Sequence, residues 1–158
     1  NLPLAVATLN NLKEMHDDLE EAPVAVFCGV MKNPAALDGL KLPYVHLGTV
    51  DSATMGQIFA HATAVLSTSV RETLPGTLIE GMAAGATPVT TGHGGQADII
   101  DHDRDGYICA EDDPAIIASY LYKAISKPFP RKAQHAAAAR RFSAGEIALR
   151  MKNLLASV

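Results

Sequence analysis

Apolar positions along this chain follow two alternating rhythms. Short apolar runs are followed by longer segments in which apolar residues recur every three or four positions, the pattern of a parallel sheet covered by helices. Leu4 to Leu9 reads as a first strand, followed by an acidic helical stretch from about Leu12 to Glu21. Val24 to Cys28 and Tyr44 to Leu47 read as the second and third strands, closed by Gly29 and Gly48. Asp51 or Ser52 can cap a helix whose Met55, Ile58, Phe59 and Ala62 share one face. Ala64 to Leu66 predicts a fourth strand that ends in the polar loop Ser67 to Arg71, and Thr87 to Thr90 predicts a fifth. Between these two lies a helix from about Pro75 to Ala84, with Pro75 at its first turn and Gly85 at its exit. Gly92 to Gly95 forms a flexible loop before a short helix at Ala97 to Ile100, and Tyr107 to Cys109 an edge strand. The remainder is helical: Pro114 to Ser126, Arg131 to Arg141, and Ser143 onward, where Ser143 and Glu146 form a capping box. The expected fold class is α/β, a parallel sheet flanked by helices in a single domain over residues 1–158.

In an open sheet of this kind ligands bind at the carboxyl ends of the strands, so the loops after Gly29, Gly48, Leu66 and Thr90 qualify. One of them carries distinctive chemistry. Glu72-Thr-Leu-Pro-Gly-Thr-Leu-Ile-Glu80 places two acids around a Pro-Gly turn that opens a helix. A helix N-terminus offers unpaired N–H groups and a partial positive charge, which suit a phosphate. An ionised carboxylate only accepts hydrogen bonds, which suits the hydroxyls of a sugar or ribose. Together these features point to a nucleotide-sugar site.

Composition narrows the reading. No apolar run is long enough to cross a bilayer, and Asn1 to Leu9 lacks the basic start of a secretion signal. Net charge is −4, from 13 basic and 17 acidic residues, which argues against a partnership with nucleic acid. Cys28 and Cys109 both sit in apolar strand-like stretches, as buried reduced thiols of a cytoplasmic protein would.

The run Thr68-Ser-Val-Arg-Glu-Thr-Leu-Pro-Gly-Thr-Leu-Ile-Glu80-Gly-Met-Ala-Ala-Gly-Ala-Thr-Pro-Val resembles the signature of the retaining glycosyltransferases of family 4. The similarity continues through Thr90-Thr-Gly-His-Gly-Gly95-Gln-Ala-Asp-Ile-Ile100 to Asp105-Gly-Tyr-Ile108. Upstream, Val45-His-Leu-Gly48-Thr-Val50 is similar to the family's strand-Gly-x-Val element, and Phe142-Ser143 to the motif before its last helix. The resemblance covers about residues 24 to 156. It implies the C-terminal, donor-binding half of a GT-B fold, a Rossmann-like domain that faces an acceptor domain absent from this chain. The last helix often packs against that other domain. The implied reaction is metal-independent transfer of a hexosyl group, with retention, from a nucleoside diphosphate sugar to a glycan, lipid-linked or small acceptor. Polysaccharide biosynthesis is the implied setting, with no cofactor, and the full-length enzyme is cytoplasmic or membrane-peripheral. This half alone is expected to bind donor weakly and to turn over little. The alternative is a non-catalytic domain that has kept the fold and lost the transfer.

By the same resemblance Glu72 is the catalytic-site acid, touching hydroxyls of the transferred sugar near the reacting carbon. Glu80 takes the ribose hydroxyls, the backbone around Gly76, Thr77 and Leu78 holds the diphosphate and sugar, and Val50 lies beside the nucleobase. The family supplies an Arg and a Lys for the diphosphate from the loop after its first strand. Here no arginine precedes Arg71, and Lys13 is the candidate. Gly81 stands where alanine is common, which costs the helix about 0.5–1 kcal/mol. Arg71 reads as a surface residue beside an acid, and His93 as a group facing the site from the glycine loop. The run Asp101-His-Asp103-Arg-Asp105 reads as a solvated loop, because neighbours on a turn rarely converge on one metal ion.

Overall fold

The computed structural model describes residues 1–15, 19 and 21–156. It contains helix α1 (Leu2–Met15), strands β1 (Ala25–Phe27) and β2 (Tyr44–His46), helix α2 (Ser52–His61), strand β3 (Ala64–Ser67) and helix α3 (Gly76–Ala83). Strands β4 (Thr87–Thr90) and β5 (Tyr107–Ile108) follow, then helices α4 (Pro114–Ser126), α5 (Arg131–Phe142) and α6 (Ala144–Ala156). Short 3-10 turns occur at Pro34–Leu37 and Gly94–Gln96. The latter falls at the end of the expected Gly92–Gly95 loop, and the helix expected at 97–100 is a non-helical turn.

Leu4 to Leu9 is not a strand. These residues lie inside α1, whose buried positions are Leu4, Thr8, Leu9 and Leu12. That spacing is helical, but over six residues an apolar run does not distinguish helix from strand. Of the acidic stretch expected from Leu12 to Glu21, Leu12–Met15 forms the last turn of α1, and residues 16–18 and 20 lie outside the described residues.

All the strand pairings are parallel, but they form two separate ladders, β1–β2 and β3–β4–β5. One face of both ladders meets a cluster built from Leu4, Leu9 and Leu12 of α1 and Ile117, Ala118 and Leu121 of α4, with Ala25, Phe27, Ala64 and Leu66 packed onto it. The opposite face of β3 and β4 meets a second cluster, with Phe59 of α2, Leu78 and Met82 of α3, and Ala137 and Ala138 of α5. Fully buried β4 has apolar contacts on both sides, as expected of an inner parallel strand.

Polar groups fix the ends. Asp51 caps α2 by accepting from the Thr54 N–H at 2.7 Å, and these bonds hold its carboxyl below the ordinary 3.8. Ser143 Oγ accepts from the Glu146 N–H at 3.4 Å, half of the expected capping box. Gly85 leaves α3 at φ 98°, and any side chain there would strike Arg131, which donates to the carbonyls of Ala60, Ala62 and Ala84. Gly81 also has a steric reason. A Cβ there would lie 2.5 Å from Val65 Cγ2, so the helix gives up propensity to let α3 approach β3.

Candidate donor site at the carboxyl edge

The loop after β3 runs from Thr68 to Pro75 and delivers the chain into α3. Pro75 is the N-cap and contributes no side-chain bond. Its carbonyl accepts from the N–H groups of Leu78 at 3.1 Å and Ile79 at 3.4 Å. Gly76 and Thr77 are exposed, and their N–H groups have no acceptor among the described residues. They are the open donors of the helix end, with the positive end of the helix dipole behind them. Leu78 points its side chain into the core, fully buried, so only its backbone belongs to this surface.

The two acids stand around this terminus. Glu80, one turn into α3, folds back over the first turn: a Cβ on Gly76 would sit 3.7 Å from Glu80 Oε1. A Cβ at Gly76 would therefore make only ordinary contact with the carboxylate. Glu72 lies half-buried in the preceding loop. Neither carboxylate has a hydrogen bond or ion pair among the described residues, so both retain their acceptor capacity.

A buried network that the sequence did not reveal holds this loop in place. Gln96 is fully buried at the carboxyl ends of β3 and β4. Its Oε1 accepts from Ser67 Oγ at 2.8 Å and from Thr90 Oγ1, while its Nε2 donates to the carbonyls of Ser69 at 2.8 Å and His93 at 2.9 Å. Thr91 Oγ1 adds a bond to the Ser69 carbonyl at 3.1 Å. One side chain thus joins both strand ends to both site loops. Beside it, the Gly95 N–H donates to the Glu72 carbonyl at 2.8 Å. A Cβ on Gly94 or Gly95 would collide with the Glu72 or Thr73 carbonyl, so the loop bearing Glu72 rests directly on a glycine backbone. The Gly-Gly-Gln run after a strand was the available signal: two residues without side chains beside one with four hydrogen-bonding valences.

The remaining candidates divide. Val50 is half-buried between Gly48 and the α2 cap, beyond the carboxyl end of β2, hence on the same edge. Lys13 is not in a loop following a strand. It occupies the last turn of α1, about 16.5 Å along the helix from its start at 1.5 Å per residue. That start is tied to the carboxyl edge, where the Asn1 carbonyl accepts from Thr68 Oγ1 at 2.9 Å. The other end is tied to the segment entering β2, through Asn10 Nδ2 to the Gly39 carbonyl and the Lys41 N–H to Asn10 Oδ1, both 2.8 Å. Lys13 therefore sits at the end of α1 opposite the Asn1–Thr68 contact. Arg71 is exposed in the loop that carries Glu72.

His93 turns to Asp112, with Nε2 at 2.8 Å from Oδ1. The Asp101 to Asp105 loop is less solvated than its composition predicts. Asp105 is buried, accepts from the Asp101 N–H at 2.8 Å, and pairs with Arg141. No group of three or more potential metal ligands converges among the described residues.

Residues 7–127 match the profile of the family described as glycosyl transferases group 1. No curated protein matches the sequence. Among solved structures, the chain is similar to AviGT4, a glycosyltransferase involved in avilamycin A biosynthesis, at 20% identity and a TM-score of 0.65, covering 99% of this chain and 48% of that one. It is also similar to Alr3699/HepE of Anabaena, solved with UDP and glucose, at 19% identity and a TM-score of 0.67, covering 96% of this chain and 44% of that one. The chain thus spans about half the length of each structure it matches, and it shares with them a Rossmann-like fold of parallel strands flanked by helices. With the profile running through α1, the Glu72–Glu80 element and α4, the chain belongs to the group 1 glycosyl transferases.

Proposed function

We propose that this chain is the donor-binding half of a retaining GT-B glycosyltransferase, taking a nucleoside diphosphate sugar at the N-terminus of α3. The observation that carries the proposal is the pair of open N–H groups at Gly76 and Thr77 with the unpartnered Glu80 carboxylate folded over them. The open N–H groups receive the diphosphate, a contact worth about 0.3–1 kcal/mol from the dipole and up to about 2 when partly buried. Glu80 accepts from the ribose hydroxyls, at about 1.5–3 kcal/mol for a bond to a charged acceptor. Val50 borders the base.

As transfer proceeds, negative charge grows on the leaving diphosphate and positive charge on the anomeric carbon. Fixed N–H donors at the first and the Glu72 carboxylate near the second act where charge develops, which lowers the barrier. Glu72 positions the sugar through its hydroxyls and is not assigned as a nucleophile. The helix terminus and Arg71 offset the diphosphate charge without a metal ion. The acceptor, a glycan, lipid-linked or small molecule, is held by the other half of the enzyme, so this half binds donor and turns over little. A cytoplasmic or membrane-peripheral setting in polysaccharide biosynthesis fits such a reaction.

Calorimetric titration with uridine, guanosine and adenosine diphosphates, alongside Glu80→Ala, tests the reading. Saturable binding of one nucleotide, weakened about 10-fold or more by the substitution, is expected from the bond to the charged acceptor. Absence of binding at millimolar nucleotide would favour a domain that has kept the fold without the donor site.

A further inference from the structure

A second cleft opens between α5 and the Asp101–Asp105 loop. Ala133, Gln134, Ala137 and Arg140 line it from the helix, Arg104 from the loop, and Phe129 from the segment that precedes α5. It belongs to a different part of the domain from Glu72 and Glu80. The Phe129 N–H donates at 3.3 Å to Oγ1 of Thr87, the first residue of β4. Gly106, next to Asp105, rests so closely on Pro88 that a Cβ there would lie 2.7 Å from the Pro88 carbonyl. The cleft thus adjoins the beginning of β4, whereas the Glu72–Glu80 element follows the carboxyl end of β3.

The polar groups of this cleft are not balanced among themselves. Buried Asp105 accepts from the Asp101 N–H at 2.8 Å and pairs with Arg141, which also lies 3.3 Å from Asp101 and donates to the Ile99 carbonyl. Both carboxylates and one guanidinium are used in this way. The side chains of Arg104 and Arg140 make no hydrogen bond or ion pair among the described residues. Gln134 is fully buried, and its Nε2 donates to the Asp105 carbonyl at 2.9 Å, while its Oε1 has no donor. Buried acceptors are nearly always paired, so this one marks a place for an incoming donor. Two unmatched guanidinium groups, one from the loop and one from the helix, select an anion. A phosphate monoester has three outer oxygens and can take a fork from each, where a carboxylate has only two. The orphan carbonyl selects a hydroxyl. Size limits what joins them: the cavity volume is 140 Å³, and a cavity of about 150 Å³ holds one benzene ring. A few carbon atoms fit against Phe129, Ala133 and Ala137, and a nucleoside does not.

We propose that this cleft is a second ligand site, which takes a small phosphorylated polyol. Arg104 and Arg140 hold the phosphate at the rim, the short carbon chain lies along the alanine methyls, and a hydroxyl donates to Gln134 Oε1. The site rests on the cleft's own unpaired groups and is independent of the donor reading.

NMR titration of the labelled chain with glycerol phosphate, up to about 10 mM so that a millimolar site fills, tests the proposal. The side-chain amide of Gln134 and the backbone amides of Gly106 and Ala137 should shift and saturate. Arg104→Gln and Arg140→Gln should each weaken binding about 10-fold or more, as the loss of charge-assisted bonds requires. Both arginines are exposed, so neither change disturbs the core. Lys132→Gln, which removes an exposed charge of α5 outside the cleft lining, should leave the affinity unchanged. Propyl phosphate, which lacks the hydroxyls, should bind roughly 5-fold more weakly, a comparison that needs no substitution. The proposal is overturned by the absence of saturable shifts, or by equal weakening in all three variants, which would mean charge attraction alone. Propyl phosphate binding as tightly as glycerol phosphate would remove the role of Gln134 and overturn the polyol site. Shifts confined to Gly76, Thr77 and Leu78, unchanged by the arginine substitutions, would overturn the cleft and leave the donor reading standing.

Discussion

At the residue scale the site depends on groups that do not touch ligand. Gln96 satisfies four partners in a volume closed to water. Gln96→Leu fills that volume but strands the Ser67 and Thr90 hydroxyls and the His93 carbonyl and leaves the Ser69 carbonyl only its Thr91 bond, each unpaired group costing about 1–3 kcal/mol. Thermal denaturation should show a loss of about 3 kcal/mol or more, a fall in Tm on the order of 10 °C. A change of one or two degrees would mean that the network is slack. The same logic separates the two cysteines. Cys109 is 1% exposed and its thiol donates to the Glu111 carbonyl at 2.8 Å, while burial pushes its pKa up. Cys28 is half-buried. Iodoacetamide near pH 8 should alkylate Cys28 well before Cys109, because the thiolate is the reacting form. Equal rates by mass spectrometry would contradict the packing around β5.

At the element scale, legibility tracked how strongly local signals agreed. The start of α2 at its Asp51 cap, the buried run of β4 and the capping of α6 by Ser143 could be read because propensity, period and cap coincide there. α1 could not, because its first residues are apolar in both rhythms and its helical spacing shows only once Leu12 is counted with Leu4 and Leu9. The division of the strands into two ladders is a relation between strands and has no local signature. Within the site, Glu72, Gly76, Thr77 and Glu80 fall on one surface feature because they lie within nine residues of chain. Gln96 escaped notice because a buried glutamine resembles a surface one in sequence. Elements also make a pH prediction. The Asp51 carboxyl has a lower pKa folded than the ordinary 3.8, so its cap contributes above the unfolded value and is lost as pH falls through the folded one. Helical circular dichroism followed from about pH 5 to about pH 2 should fall less steeply in Asp51→Asn, which caps without titrating. Identical profiles would remove Asp51 from the acid response.

At the scale of the whole molecule, the compact part ends at α5. No residue of α6 is buried, and Ile147, Leu149, Met151 and Leu155 are exposed. Met151→Lys with Leu155→Lys should therefore leave the unfolding free energy within about 0.5 kcal/mol of the parent chain, the usual range for surface changes. A large loss would show that α6 is part of the cooperative core. The two clusters that remain sandwich the strands and bring the loops of β3 and β4 to one edge, where the Glu72–Glu80 element lies. The central claim is that this edge binds a nucleoside diphosphate at the start of α3. Chemical-shift mapping of the labelled chain, titrated with uridine, guanosine and adenosine diphosphates, tests it most directly. One of them should move the amides of Gly76, Thr77 and Leu78 first and furthest, with Gly94 and Gly95 following through the Glu72 contact, and Glu80→Ala should suppress the shifts. Shifts centred elsewhere, such as on Arg104, Arg140 and Arg141 beside the Asp101–Asp105 loop, would contradict it.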